Sequence, residues 1–270
     1  MSAAAEDTPT IHATEVGDTG PRVVFLHGLF GQGRNFTQAA KALVPDLRSV
    51  LVDLPNHGRS AWTEGADYLE VAEVVATWLQ TTYDGEPVHL VGHSMGGKVA
   101  MVLAQRHPDL VDRLVVVDIS PATSDGAGEF EHLLGALAGV ELDSLVRRGD
   151  ADEQLREQVA DERVRGFLLQ NLRSGTGGTG FRWQANLDLL RRELARIGGF
   201  PELDTTFDHP VLWIAGERSD YVLPEHEPVM RRLFPRTTSV TVKGAGHWVH
   251  SEKPEAFVSA LRVFLTAGRD

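Results

Sequence analysis

The chain contains no cysteine in its 270 residues. That absence removes disulfide frameworks, thiolate-bound zinc or iron–sulfur sites and a thiol nucleophile together, so any nucleophile must be an oxygen or nitrogen group. Basic residues are also scarce: 26 Lys and Arg stand against 38 Asp and Glu, a net charge of −12 with a pI near 5.4. That sign opposes binding to a phosphate backbone, and neither nucleic acid nor an anionic membrane is an expected partner. No segment approaches the ~18 uninterrupted apolar residues of a membrane span. The first residues, Met1-Ser2-Ala3-Ala4-Ala5-Glu6-Asp7, carry acids where a secretory signal carries Lys or Arg, and no apolar stretch follows them. The expectation is a cytoplasmic protein. With 42% hydrophobic and 24% charged residues, the composition is that of a globular protein and excludes collagen, coiled coil and disorder. At roughly 150 residues per domain, the length allows one large domain or two small ones.

Short runs rich in Val and Leu alternate with longer helix-period stretches, the pattern of a mostly parallel sheet with helices on both faces. Strands are expected at Val23 to Leu26, Ser49 to Asp53, Val88 to Val91, Leu114 to Ile119, Val211 to Ala215 and Val240 to Val242. Helices are expected at Asn35 to Leu43, Tyr68 to Thr81, Met95 to His107 and Glu255 to Phe264, the second with Leu69, Ala72, Val75, Ala76 and Leu79 on one stripe. The alternation breaks at Ser120, and 91 residues pass before Pro210. This stretch carries helical patterns at Phe130 to Leu137, Asp152 to Leu172 and Ala185 to Ile197, interrupted by the glycine tract Ser174 to Gly180. It reads as a helical cap over the carboxyl edge of the sheet. The tract neither follows a strand nor ends in Gly-Lys-Ser/Thr, so it reads as a flexible turn and not as a phosphate loop.

The strongest chemical signal is Gly92-His93-Ser94-Met95-Gly96, preceded by the strand Val88 to Val91 and followed by a helix. A nucleophile elbow requires that context, because the strand-to-helix turn is too tight for side chains two residues either side of the serine. A serine hydroxyl becomes a nucleophile only when a base removes its proton. His247, in the small-residue loop Gly244-Ala245-Gly246-His247 after the last strand, is the expected base, with His250 the second choice. A metal pair of these two histidines lacks a third ligand at recognisable spacing. The acid that orients the base belongs at the carboxyl end of a strand. Asp118 is favoured, and Asp220, one place after Ser219 at the commoner acid position, is the alternative. The loop His27-Gly28-Leu29-Phe30-Gly31 follows the first strand, so the backbone N–H groups of Leu29 and Met95 are the expected oxyanion donors. His27 is expected to fix its loop, His57 to have no catalytic role, and Lys98, four residues after Ser94, to be structural. Phe130, Phe167, Phe181, Trp183 and Phe200 could line an apolar acyl pocket.

His27-Gly28, Asp53 with Gly58 and Ser60, the run Gly92 to Gly97, and Gly246-His247 together resemble the α/β-hydrolase superfamily over nearly the whole chain. Within it, His27 to Gly31, Asn56-His57-Gly58, Gly92 to Met101 with Lys98, Val117-Asp118-Ile119-Ser120-Pro121 and Gly246 to His250 look like the YbfF-type acyl-esterases and their mitochondrial abhydrolase relatives. The resemblance implies an α/β-hydrolase fold: a mostly parallel central sheet with a helical cap inserted after strand 6. Residues 1–121 and 208–270 would form the core and 122–207 the cap. It further implies a serine carboxylesterase that hydrolyses small acyl esters through an acyl-enzyme, with a small-molecule ester as its partner and no cofactor or metal. In the bacterial members the acid sits in the Val-Asp-Ile motif, which supports Asp118, while Asp220 remains the alternative. A carbon–carbon bond hydrolase or menaquinone-pathway lyase of the same fold would need basic residues, such as Arg147, Arg148, Arg173 and Arg182, converging above Ser94. A cofactor-free haloperoxidase or perhydrolase would keep the same triad.

Overall fold

A computed structural model of the chain describes residues 9–123, 127–175 and 180–268. Among these residues nine strands run in chain order: β1 (His12–Val16), β2 (Arg22–Leu26), β3 (Arg48–Asp53), β4 (Val88–His93), β5 (Val111–Val117), β6 (Leu172–Ser174), β7 (Phe181–Trp183), β8 (Val211–Gly216) and β9 (Thr237–Val242). Seven of them form one sheet in the order β1-β3-β2-β4-β5-β8-β9. Only β1 runs antiparallel, against β3; every other neighbouring pair is parallel. The central strands are buried on both faces, which is why β4 and β5 read in the sequence as near-continuous apolar runs.

Alternation along the strands divides the core into two layers. Val24, Leu26, Leu90, Val116 and Trp213 face one side, where α2 (Tyr68–Thr82) and α3 (Met95–Arg106) pack. Val23, Phe25, Val91, Val115 and Ile214 face the other, covered by α1 (Thr37–Leu43) and the last helix, Pro254–Thr266. The Asp67 side chain accepts from Leu69 N–H at 2.8 Å and starts α2. The buried stripe of α2 is Tyr68, Val71, Ala72, Val75, Ala76 and Leu79. Leu69, expected on that stripe, is only half-buried.

Between β5 and β8 come α4 (Ala127–Ala138), α5 (Arg148–Leu155), α6 (Glu162–Leu169), α7 (Leu187–Arg192) and α8 (Leu194–Gly198), together with the β6–β7 hairpin. The remaining helices are α9 (Glu227–Leu233), α10 (Val249–Glu252) and α11 (Pro254–Thr266). The insert leaves the sheet after β5, the fifth strand among the described residues. The helix expected over Asp152 to Leu172 is two helices, the second started by the Asp161 side chain accepting from Arg163 N–H at 2.8 Å. The expected Ala185 to Ile197 helix likewise breaks at Glu193. The glycine tract joins β6 to β7, with Gly175 N–H donating to the Gly180 carbonyl at 2.9 Å; its residues 176–179 lie outside the described residues.

Hydrogen bonds tie the insert to the loops at the carboxyl edge of the sheet. Asn171 donates to the Phe30 carbonyl at 2.8 Å, Gln32 to the Gln170 carbonyl at 3.0 Å, and Asn186 N–H to the Asn56 carbonyl at 3.0 Å. Among the described residues no helix is long and apolar enough to cross a membrane.

Candidate active site

The turn between β4 and α3 places Ser94 above the carboxyl edge of the sheet. Its backbone sits at φ 53°, ψ −122°, a conformation that L-residues rarely adopt. The flanking positions need glycine because backbones touch there: a Cβ on Gly92 would lie 2.3 Å from the Gly96 carbonyl oxygen, and one on Gly96 would lie 2.4 Å from that of Leu26. The turn is held by Ser94 N–H donating to the Val117 carbonyl at 3.0 Å, and by Gly97 N–H donating to the Ser94 carbonyl at 2.8 Å.

Three side chains from distant parts of the chain meet here. His247 Nε2 lies 3.0 Å from Ser94 Oγ, and His247 Nδ1 lies 2.8 Å from Asp118 Oδ2. Asp118 follows β5, has φ 50° and is fully buried. Its Oδ1 accepts from Gly216 N–H at 2.8 Å, and its Oδ2 also accepts from the Ser219 hydroxyl. The Asp118 oxygen facing Nδ1 selects the His247 tautomer protonated there and leaves Nε2 as acceptor for the serine proton. Asp220 is exposed; its neighbour Ser219, at the commoner acid position, donates its hydroxyl to Asp118 instead. The structure therefore sets Asp118, not Asp220, against His247.

Four further histidines surround this line. His93 Nε2 is 2.9 Å from the His247 carbonyl oxygen, so that nitrogen must be the donor. The His93 ring centroid stands 4.8 Å from that of His247 and 4.7 Å from that of His250. Burial, reinforced by the neighbouring imidazoles, holds His93 well below the ordinary histidine range. Burial likewise lowers His250 to about 4. His250, the second choice of base, packs against Phe36 and His93, while the imidazole within reach of Ser94 Oγ is that of His247. His27 accepts from Leu54 N–H at 3.0 Å and donates to the Gly28 carbonyl at 2.8 Å, fixing its loop as expected; burial lowers it to about 4. His57 donates to the Pro55 carbonyl at 3.0 Å, and burial first, then His27, lowers it to about 3.

Leu29 and Met95 flank Ser94 in the walls of the same cavity. Met95 opens α3, so its N–H is among those that no carbonyl within the helix accepts. Ser94 stands between two compartments of about 20 Å³ each, with room for about one water molecule apiece. One is bounded by Phe30, Phe130, Leu133, Phe167, His247 and Trp248. The other is bounded by Tyr68, Ile119, Leu194, Ile197 and Tyr221, with Lys98 at its base. A larger cleft of about 680 Å³ opens on the far side of His247 and Trp248.

Of the five aromatic residues expected in the pocket, Phe130 and Phe167 line these compartments, whereas Phe181, Trp183 and Phe200 pack against the core. Tyr68, Tyr221 and Trp248 escaped sequence reasoning. Trp248 adjoins the expected base and was the most recoverable of them. The four arginines that would bind an acidic substrate point elsewhere. Arg148 donates to the Leu172 carbonyl at 3.3 Å and to that of Leu169, Arg173 donates to Gln32 Oε1 at 3.3 Å, Arg147 pairs with Asp150 at 3.0 Å, and Arg182 is exposed in β7. Lys98 is structural, as expected: its ammonium donates to the Gly198 and Gly199 carbonyls at 2.8 and 2.6 Å, and burial lowers its pKa to about 8.

Comparison with known proteins agrees with this fold. The chain is 42% identical over 253 residues to the sn-1-specific diacylglycerol lipase ABHD11 of Mus musculus, spanning 92% of this chain and 81% of that protein. It is 32% identical over 246 residues to esterase YbfF of Escherichia coli K12, spanning 90% of this chain and 92% of that protein. The sequence thus lies closer to the ABHD11 group than to YbfF. Among solved structures, a marine microorganism esterase superposes with a TM-score of 0.89 at 32% identity, over 93% of this chain and 98% of that one. A profile of the alpha/beta hydrolase family matches residues 23–260. The chain belongs to the alpha/beta hydrolase family.

Proposed function

We propose that the protein hydrolyses small to medium acyl esters through a covalent acyl-enzyme, with Ser94 as nucleophile, His247 as base and Asp118 as the orienting acid. It is a carboxylic ester hydrolase, and the observation that supports this mechanism best is the unbroken line from Asp118 Oδ2 through His247 to Ser94 Oγ, with gaps of 2.8 and 3.0 Å.

In the first half-reaction Ser94 Oγ bonds to the ester carbonyl carbon while its proton passes to His247 Nε2. The carbonyl oxygen becomes an oxyanion, held by the N–H groups of Leu29 and Met95. The carbon–oxygen bond to the alcohol then breaks, and His247 returns the proton to the departing alcohol oxygen. In the second half-reaction water gives a proton to His247 and bonds to the acyl carbon; the bond from that carbon to Ser94 Oγ then breaks, His247 returns the proton to Oγ, and the acid leaves. Asp118 stabilises the imidazolium formed in each half by accepting from Nδ1–H. The neutral state of His93 matters at that moment, because a second positive charge on a ring 4.8 Å from that of His247 would oppose it.

Residues 122–207 act as the cap. Phe130 and Phe167 from this segment close over Ser94 and give the site an apolar wall suited to an acyl chain. Within the family we place the chain in an ABHD11-like group, on the higher identity noted above. The test is hydrolysis of p-nitrophenyl butyrate by the wild type and by Ser94→Ala. Loss of at least ~10³-fold in kcat is expected, and equal rates would refute the assignment.

A further inference from the structure

The two sides of Ser94 differ in what they can hold. The compartment bounded by Tyr68, Ile119, Leu194 and Ile197 is only about 20 Å³ in volume. Leu29 and Met95 stand in its wall, and His247 does not. The opposite compartment includes His247 and shares Phe167, Trp248 and His250 with the cleft of about 680 Å³. Ester cleavage assigns these sides. The alcohol oxygen must depart toward the imidazole that protonates it, so the acyl substituent points away from His247.

We propose that the acyl group occupies the small Tyr68–Ile119–Leu194–Ile197 compartment while the alcohol lies across Phe167 and Trp248 in the larger cleft. The substrates are then esters of short acyl chains with bulky alcohols. This inference rests on the triad reading given above.

The far wall of the acyl compartment is fixed by the core. Lys98 of α3 holds the Gly198 and Gly199 carbonyls at 2.8 and 2.6 Å, and the Tyr68 hydroxyl of α2 donates to the Ile197 carbonyl at 2.6 Å. Moving α8 outward to admit a longer chain would strip a buried ammonium and a buried phenol of these bonds, so the wall resists such a chain. The larger cleft is built differently. Val164, Phe167 and Trp248 give it an apolar floor, and its rim carries the ion pairs Arg163–Asp161 and Arg218–Glu252, each at 3.0 Å. Their guanidinium side chains are mostly exposed, and such pairs rearrange at little cost. An alcohol with an apolar body and a polar end matches that surface.

The test measures kcat/KM for p-nitrophenyl esters of two, four, eight and twelve acyl carbons, and for methyl, benzyl and 2-naphthylmethyl butyrates. The wild type is expected to favour the two-carbon acyl group over the twelve-carbon one by at least ~100-fold and to accept all three alcohols. Leu194→Ala should raise the eight-to-four-carbon ratio about tenfold, the scale of one or two methylenes in an apolar pocket, without changing the alcohol preference. Phe167→Ala should shift the alcohol preference and leave the acyl ratio within about twofold. Should Leu194→Ala fail to fold, the milder Ile197→Val carries the same test with a smaller shift in the same direction. A wild-type preference for the twelve-carbon ester, or an acyl ratio that Leu194→Ala and Ile197→Val do not move, overturns the inference. Ser94→Ala separates the two levels: if it keeps wild-type rates the triad reading itself fails, and if it is inactive while the acyl ratio stays fixed, only the assignment of sides fails.

Discussion

His93 Nε2 donates a hydrogen bond to the backbone carbonyl of His247 at 2.9 Å, joining the elbow that carries Ser94 to the loop that carries the base, 154 residues later in the chain. The middle residue of the Gly-x-Ser motif thus sets the distance between nucleophile and base. A misplacement of ~1 Å at a reacting group can reduce the rate about 100-fold. His93→Leu is expected to lower kcat for p-nitrophenyl butyrate by roughly 10- to 100-fold with little change in KM. His93→Gln, whose amide can donate from a similar place, should recover most of that loss. Equal deficits in the two variants would show that His93 acts through packing alone.

Asp118 is the deepest member of the line, fully buried and bonded to Gly216 N–H, Ser219 and His247. An amide at this position can present its NH2 group to the imidazole and so stabilise the wrong tautomer. Asp118→Asn is therefore expected to lower kcat by about 10⁴. Asp220→Asn, on an exposed side chain, should stay within about twofold of wild type. Steady-state kinetics on the pair checks this, and the reverse ranking would move the acid to Asp220.

The elbow glycines make a stability prediction. A methyl group on Gly96 would press on the Leu26 and His27 carbonyl oxygens at 2.4 and 2.5 Å. Gly96→Ala is expected to destabilise the protein by more than ~3 kcal/mol in urea unfolding. Gly135, within α4, has open space where a Cβ would go, and Gly135→Ala should stabilise by about 0.5–1 kcal/mol.

Buried neutral imidazoles set the response to acid. Burial is the main cause that lowers His27 and His250 to about 4, His57 to about 3 and His93 well below its ordinary value. In the unfolded chain each titrates near 6.5. Below that pH the unfolded state binds more protons than the folded one, so stability is complete above pH 6.5 and falls as pH drops toward 4. Each group contributes a slope of up to about 1.4 kcal/mol per pH unit. The melting temperature should therefore fall steeply between pH 6.5 and 4.5, and His57→Gln should flatten the slope. A constant melting temperature from pH 7 to 5 would contradict this.

The parts legible in the sequence are those encoded locally. Gly92 and Gly96 report a backbone too close for side chains, and the Val- and Leu-rich runs report strands buried on two faces. The edge strand β1 carries Thr14 and Glu15 in a partly exposed pattern, and β6 and β7 have three residues each, so neither shows a periodicity to detect. Long helical patterns in the insert concealed breaks at Asp161 and Glu193, because the apolar spacing resumes on the far side of each. The walls of the acyl compartment were the least legible: Tyr68, Ile119 and Ile197 meet only because Lys98 and Tyr68 bind the end of α8. Ser219 could be marked as sitting where an acid is common, but its hydroxyl's attachment to Asp118 follows from the pairing of β5 with β8.

The central claim is that Ser94 attacks the ester carbonyl and carries the acyl group. Treatment with a fluorophosphonate, followed by intact-mass and peptide mass spectrometry, measures this most directly. One adduct per chain is expected, on the peptide containing Ser94, forming in step with loss of p-nitrophenyl butyrate hydrolysis and absent in Ser94→Ala. An adduct on another residue that tracks the loss of activity, or full activity in a chain labelled at Ser94, would contradict the account.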